Sequence, residues 1–494
     1  MPTYYNFIGG RWLESAKRLS FEDANPADTR DVIGRFQRSG DRDVRDAVQA
    51  AHAAFAQWAE TPAPKRGEIL FRSARILEEK KETLARAMTR EMGKTLKETR
   101  GDVQEAIDTA YFFAGEGRRL YGLTTPSELK DKVCMTLRRP VGVCGLITPW
   151  NFPLAIPAWK VYPALICGNT MILKPAEDTP QAALLFAQIL EEAGLPAGVF
   201  NVVTGMGQEA GAALAGHPGV DLISFTGSSA VGARIAESCG RSLRRCSLEL
   251  GGKNTQAVLE DADFELAVTG AVWGAFATSG QRCTATSVIF VHEKIYAKFE
   301  AAFLSAVSKL TLGRGEDADT DLGPLINAAQ LMRVDRYVQG AKKEGARLLC
   351  GGRPKKNAPC QNGFFYLPTV FASVKPSMRI MREEVFGPVA CLMKIKNLDA
   401  AIEAVNDSDY GLSCSIYTRD VSKAMRYFCW TRTGITYVNS PTIGAEAHLP
   451  FGGVKKTGNG HREAGVTALD IFSEWKTVYL DASGRLQRAQ MEDA

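Results

Sequence analysis

Within Phe276-Ala277-Thr278-Ser279-Gly280-Gln281-Arg282-Cys283-Thr284, a cysteine stands beside a permanent cation, among small residues that let the backbone come close to a ligand. A thiolate there would attack an electrophilic carbon, whereas a buried thiol without that role is an inert small hydrophobe; the segment alone admits both. Leu248-Glu249-Leu250-Gly251-Gly252 sets a carboxylate where a strand runs out before paired glycines, which suits a general base and equally an ion-paired glutamate. Ile147-Thr148-Pro149-Trp150-Asn151-Phe152-Pro153 holds an uncharged amide, Asn151, between two prolines. Such an amide can donate to a developing oxyanion without titrating, or close an Asx turn. Residues 225–232 run from a strand through Gly227 into a helix start, where free N–H groups and the helix dipole attract phosphate. They depart from G-x-G-x-x-G, so an ordinary strand-to-helix turn fits as well. Arg282 itself could hold a substrate carboxylate through a bidentate contact, or serve as a structural ion-pair partner.

These groups need a scaffold that ends strands at one crevice. From residue 141 short apolar runs alternate with helical ones, the mark of a parallel sheet wrapped by helices. Strands are expected at 142–148, 170–174, 199–204 and 222–226, and helices at 154–166, 180–193 (capped by Thr179) and 208–215. A second such series follows Gly251-Gly252, with strands at 286–292, 389–394, 413–417 and 434–438 and helices at 294–310 and 400–405. Two doubly wound α/β lobes with a boundary near residue 250 are therefore expected, with ligands at the carboxyl ends of the strands. An amphipathic helix pair over 66–95 is scaffold. The strand-like segments 123–139 and 470–480 belong to neither series and are expected to form a small β arm that pairs elsewhere.

At 494 residues the chain exceeds what one core supports. A net charge of +5 without long basic runs argues against nucleic acid, and Arg353-Pro354-Lys355-Lys356 reads as a solvated turn. The apolar stretch 141–159 is interrupted by Pro149, Pro153 and Pro157, so no membrane span is expected. Eleven scattered cysteines form neither a C-x-x-C pair nor a zinc ligand set, so no metal is expected and a reducing, cytoplasmic location fits. Residues 1–6 show no basic segment leading into an apolar one, which agrees with that location.

Taken in order, Thr148-Pro149-Trp150-Asn151, Lys174-Pro175-Ala176-Glu177, Phe225-Thr226-Gly227-Ser228, Glu249-Leu250-Gly251-Gly252-Lys253, Gly280-Gln281-Arg282-Cys283, Glu384-Val385-Phe386-Gly387-Pro388 and Pro450-Phe451-Gly452-Gly453 resemble the aldehyde dehydrogenase superfamily along nearly the whole chain. The resemblance implies a Rossmann-like NAD-binding domain at 1–122 and 140–250, a catalytic domain at 251–450, and an oligomerisation arm and tail at 123–139 and 466–494. It makes Cys283 the nucleophile, Asn151 an oxyanion donor and Glu249 the base that hydrolyses a thioester. It also implies that Trp150, Lys174, Glu177, Gly227, Ser228, Gly232, Glu384 and Phe386 contact the cofactor. A carboxylate at Glu177 favours NAD, with NADP possible because Lys174 is near. Residues 441–450 and 458–463 are similar to the branch of 2-oxoglutarate semialdehyde dehydrogenases and their relatives, which implies a carboxylate-bearing aliphatic semialdehyde held by Arg282. A homodimer or homotetramer is implied in the same way. The alternatives are a coenzyme A-acylating enzyme, which the glutamate at 249 argues against, and a catalytically silent nucleotide-binding relative, against which the intact cysteine and glutamate motifs stand.

Overall fold

The computed structural model describes residues 1–491, so the last residues of the expected tail, 492–494, lie outside it. Its first seven-stranded sheet is built around Val143–Ile147, Thr170–Lys174 and Leu222–Thr226, whose nearly unbroken apolar runs suit strands covered on both faces. Val143–Ile147 has Thr170–Lys174 on one side and Leu222–Thr226 on the other, all parallel, so chain connections diverge at this strand. A crevice therefore opens beyond its carboxyl end. Arg245–Glu249 extends the sheet in parallel at one edge. At the other edge Phe200–Val202 is followed by the antiparallel N-terminal strands Asn6–Ile8 and Arg11–Leu13.

After Glu249 the chain crosses to a second seven-stranded sheet that starts with Asn254–Val258. There Thr369–Ala372, Val389–Ile395, Thr286–His292, Asn254–Val258, Ser413–Tyr417 and Ile435–Val438 run parallel, with Arg347–Cys350 antiparallel at one edge. The two doubly wound α/β lobes are as expected. Each sheet carries apolar side chains on both faces; helix Asp41–Glu60 packs directly on the first, and Ala63–Glu79, Lys81–Met92 and Leu96–Glu116 form an outer layer against the helices Ala155–Cys167 and Pro180–Glu192. No helix among the described residues is long and apolar enough to cross a membrane.

Three local expectations are corrected. Thr179 precedes the helix Pro180–Glu192, but its hydroxyl makes no cap; the Glu91 carboxylate reaches over from another helix and accepts from the N–H groups of Gln181 and Ala182. The segment 208–215 begins as a wide π-helical turn at Gly207–Gly211 before Ala212–Gly216 becomes α-helical. The arm segments pair with each other within this chain: Ser473–Asp481 lies antiparallel to Lys132–Pro140, which also carries Thr124–Pro126. The stretch 466–472 is also not free arm, because Ala468, Leu469, Ile471 and Phe472 are buried in the first core and tie the arm to it.

Candidate active site

Cys283 sits on a loop with unusual backbone geometry. The helix Phe264–Phe276 is followed by Thr278, Ser279 and Gly280 with φ of +55°, +54° and +68°, a left-handed run that costs free energy in each non-glycine residue. The surrounding structure holds it. Glu98 accepts from the N–H and hydroxyl of Thr278, Ser279 Oγ donates to the Gly323 carbonyl at 2.7 Å, and Gln281 bonds both the Pro324 carbonyl (3.2 Å) and the Ile326 N–H (3.0 Å). A Cβ on Gly280 would lie 2.1 Å from the Gly387 carbonyl oxygen, so only glycine fits. The loop thereby presents Cys283, half-buried, to a cavity of about 70 Å³.

Glu249 enters the same cavity from the other sheet. It ends its strand where Gly227 N–H bonds its carbonyl at 3.0 Å and Leu250 N–H bonds the Thr457 carbonyl at 2.7 Å, which fixes the direction of the side chain. Gly452 makes room for it, since a Cβ there would come within 2.5 Å of Glu249 Oε1. The carboxyl group is 3% exposed, yet neither oxygen has a hydrogen-bond partner. Behind it lies a close ion pair, Lys160 with Glu463, and Lys160 Nζ also donates to Ser224 Oγ at 2.9 Å. Burial first, and then Glu463, hold the Glu249 carboxyl well above the usual carboxylate range against the pull of Lys160. The Cys283 thiol is pushed up to about 12 by burial and by the charges of Glu384 and Glu249. In both groups burial disfavours the charged form.

Asn151 follows the central strand Val143–Ile147. Its Nδ2 donates to the Gln281 carbonyl at 3.0 Å, and its Oδ1 is buried without a partner. The amide stands beside the Cys283 loop, with a second N–H available, and does not line the cavity. Arg282 does line it. Its Nε donates to Thr278 Oγ1 at 2.9 Å, its guanidinium lies 5.0 Å from the Phe152 ring centre, and the nearest carboxylate, Glu98, is 3.9 Å away. Both readings of Arg282 thus have a basis, a loose ion pair on one side and an open cavity on the other.

The other expected site residues gather at the strand ends. Lys174, at the end of its strand, pairs with Glu177 at 2.9 Å, and Glu177 also accepts from Gly207 N–H at 3.4 Å. Ser228 caps the helix Ser229–Arg241 by accepting from Val231 N–H, and Gly232 permits close packing because a Cβ there would lie 2.4 Å from Leu250. Glu384 accepts from Gly252 N–H at 2.9 Å, just behind the Cys283 loop. Phe386, with a φ of +60°, meets Trp150 edge to face at 5.3 Å between ring centres. The cavity walls also include Glu105, Trp159, Thr226, Phe451 and Glu463, which the sequence did not single out. Thr226 and Phe451 lie in motifs already noted and Glu463 in the segment 458–463; Glu105 and Trp159 are single residues in amphipathic or apolar runs and carry no local signal.

The profile of the aldehyde dehydrogenase family matches residues 12–478. The chain is 41% identical over 478 residues to the alpha-ketoglutaric semialdehyde dehydrogenase of Bacillus subtilis, covering 97% of this chain and 98% of that one. It is also 41% identical over 477 residues to human retinaldehyde dehydrogenase 3, covering 96% of this chain and 92% of that one. Among solved structures, betaine aldehyde dehydrogenase from Staphylococcus aureus in complex with NAD+ superposes with a TM-score of 0.96 at 36% identity, covering 98% of this chain and 96% of that one.

Proposed function

We propose that this chain, which belongs to the aldehyde dehydrogenase family, oxidises a short aliphatic semialdehyde bearing a free carboxylate to the corresponding acid with NAD. The observation that carries this reading is one small cavity holding a thiol, an unpartnered carboxyl group and a guanidinium. Equal identity to a keto acid semialdehyde enzyme and a retinaldehyde enzyme leaves substrate choice to the cavity. About 70 Å³ beside Arg282 suits a short anionic aldehyde better than a long apolar one.

In the first step the Cys283 thiol loses its proton to solvent, Sγ bonds to the aldehyde carbon, and the carbonyl electron pair moves to oxygen. Asn151 Nδ2–H and the Cys283 backbone N–H stabilise that alkoxide; one such donor is typically worth about 2.7–4 kcal/mol of barrier. NAD supplies the acceptor for the hydride that the tetrahedral alkoxide then expels. Cys283 is left as a thioester. Glu249 takes a proton from water, hydroxide bonds to the thioester carbon, the C–S bond breaks, and the free acid leaves.

The crevice residues fit a dinucleotide. The first-turn N–H groups of the helix Ser229–Arg241, with Gly227 and Ser228, suit a pyrophosphate, and Glu177 beside Lys174 suits ribose hydroxyls. Glu177 is half-buried and held below the usual carboxylate range by Lys174 against its burial. The retained negative charge disfavours a 2′-phosphate, which supports NAD over NADP. Glu384, Phe386 and Trp150 would flank the nicotinamide end.

The three-stranded arm exposes apolar side chains on both faces, Val133, Leu137 and Leu480 on one and Trp475 and Tyr479 on the other, a surface suited to a second copy of the chain, and we read the protein as a homodimer or homotetramer. Free cysteines throughout the described residues agree with a cytoplasmic location. Steady-state kcat/KM values for succinic, glutaric and 2-oxoglutaric semialdehydes against hexanal test the substrate reading. The charged aldehydes are expected to win, and Arg282→Met to raise their KM selectively. Preference for hexanal by the wild type would refute it.

A further inference from the structure

Two titratable groups of the cavity wall have no part in the reaction above, and since Glu463 is paired with Lys160, Glu105 is the one left over. Glu105 lies on the helix Leu96–Glu116 and lines the wall together with Arg282 and Cys283. Its Oε1 is buried without a hydrogen-bond partner, although its own backbone carbonyl accepts from Thr109 Oγ1 at 2.7 Å. A polar atom left unpartnered at a cavity wall is costly unless a ligand completes it. We propose that the Glu105 carboxyl group is the second recognition element of the cavity, donating its O–H to the substrate carboxylate that Arg282 pairs with. This rests on the anionic-substrate reading and deepens it.

The surroundings decide whether that oxygen carries a proton. On its own helix, Asp102 and Asp108 raise the Glu105 carboxyl; from other segments, Arg282 and Lys94 lower it; burial outweighs them all and pushes it up to about 8. Tyr437 faces it from the strand Ile435–Val438, and Glu446 and His448 line a second cavity that Glu105 also borders. Lys94 is already committed to Asp102 at 2.5 Å in a fully buried pair, so it offers Glu105 little. At neutral pH the wall therefore presents one cation and one neutral acid. An ionised Glu105 would instead oppose Arg282 and repel the substrate anion, which makes the proton itself the element of specificity.

The probe is glutarate, fully ionised above pH 7, used as a competitive inhibitor of hexanal oxidation so that its Ki reports binding apart from the chemistry at Cys283. With Glu105 near 8, its protonated fraction falls about tenfold from pH 7 to pH 9, and the wild-type Ki is expected to rise by about the same factor. Glu105→Gln keeps a donor at every pH, so its Ki should be flat across that range, each enzyme serving as its own reference. Glu105→Leu removes the donor and should already weaken glutarate about tenfold at pH 7. A Glu105→Gln enzyme whose Ki climbs with pH as the wild type's does would overturn the proposal while leaving the anionic-substrate reading intact. If wild-type Ki at pH 7 is no lower for glutarate than for pentanamide, that reading falls, and this one with it.

Discussion

The cofactor-free enzyme should carry a sluggish nucleophile, and the size of the effect follows from its surroundings. Burial and the Glu384 and Glu249 charges push the Cys283 thiol up to about 12 from an ordinary 9.0. At pH 8 three units cost about a thousandfold in thiolate. Each thiolate is more nucleophilic at higher pKa, and a Brønsted slope of about 0.4–0.5 returns roughly 15–30-fold of that loss in thiol–disulfide exchange. Cys283 should therefore exchange with dithiodipyridine roughly 30–60 times more slowly than free cysteine at pH 8. Its rate should climb about tenfold per pH unit from 7 to 10 without levelling, whereas free cysteine levels near 9. The measurement is the absorbance of released thiopyridone, with the trace of Cys283→Ser subtracted to remove exposed Cys429 and half-buried Cys246 and Cys350. A plateau below pH 9, or a rate equal to that of free cysteine, would show that the cavity is wet in solution and that the electrostatic argument fails.

Glu249→Gln should still form the thioester but release it roughly 10²–10⁴-fold more slowly, giving a burst of about one NADH per subunit in stopped-flow absorbance; undiminished steady turnover would remove Glu249 from hydrolysis. In the wild type, hydrolysis should quicken as pH rises, because a carboxyl held above its usual range becomes a base only as it ionises. Lys160→Met leaves Glu463 buried without its cation and should cost about 3–5 kcal/mol in urea unfolding; an unchanged midpoint would deny that the pair matters to stability.

What could be read from the chain is what leaves a local signature. Apolar runs such as Met171-Ile172-Leu173 can be satisfied only by a strand covered on both faces, so the strands were visible. Cys283, Glu249 and Asn151 announce themselves through glycines and prolines that force the backbone to bend where they sit. Glu105 and the Lys160–Glu463 pair give no such warning, because their roles come from residues far away in sequence. Glu105 looks like any solvated helix glutamate until the fold sets it on one cavity wall with Arg282. Lys160 sits in the helix Ala155–Cys167, where every residue is buried, and its partner arrives some three hundred positions later. Thr179 misled for the same reason, since the true cap of its helix, Glu91, belongs to another element.

The left-handed run at 278–280 is braced by residue 98, by residues 323–326 and by the carbonyl of Gly387. A chain emerging from the ribosome cannot set this loop until about four-fifths of it has been made, so prematurely ended fragments carry an ordinary flexible cysteine with no aimed sulfur. The orientation of this sulfur is thus set by segments of both lobes, and the chain is needed as far as Gly387 to brace it.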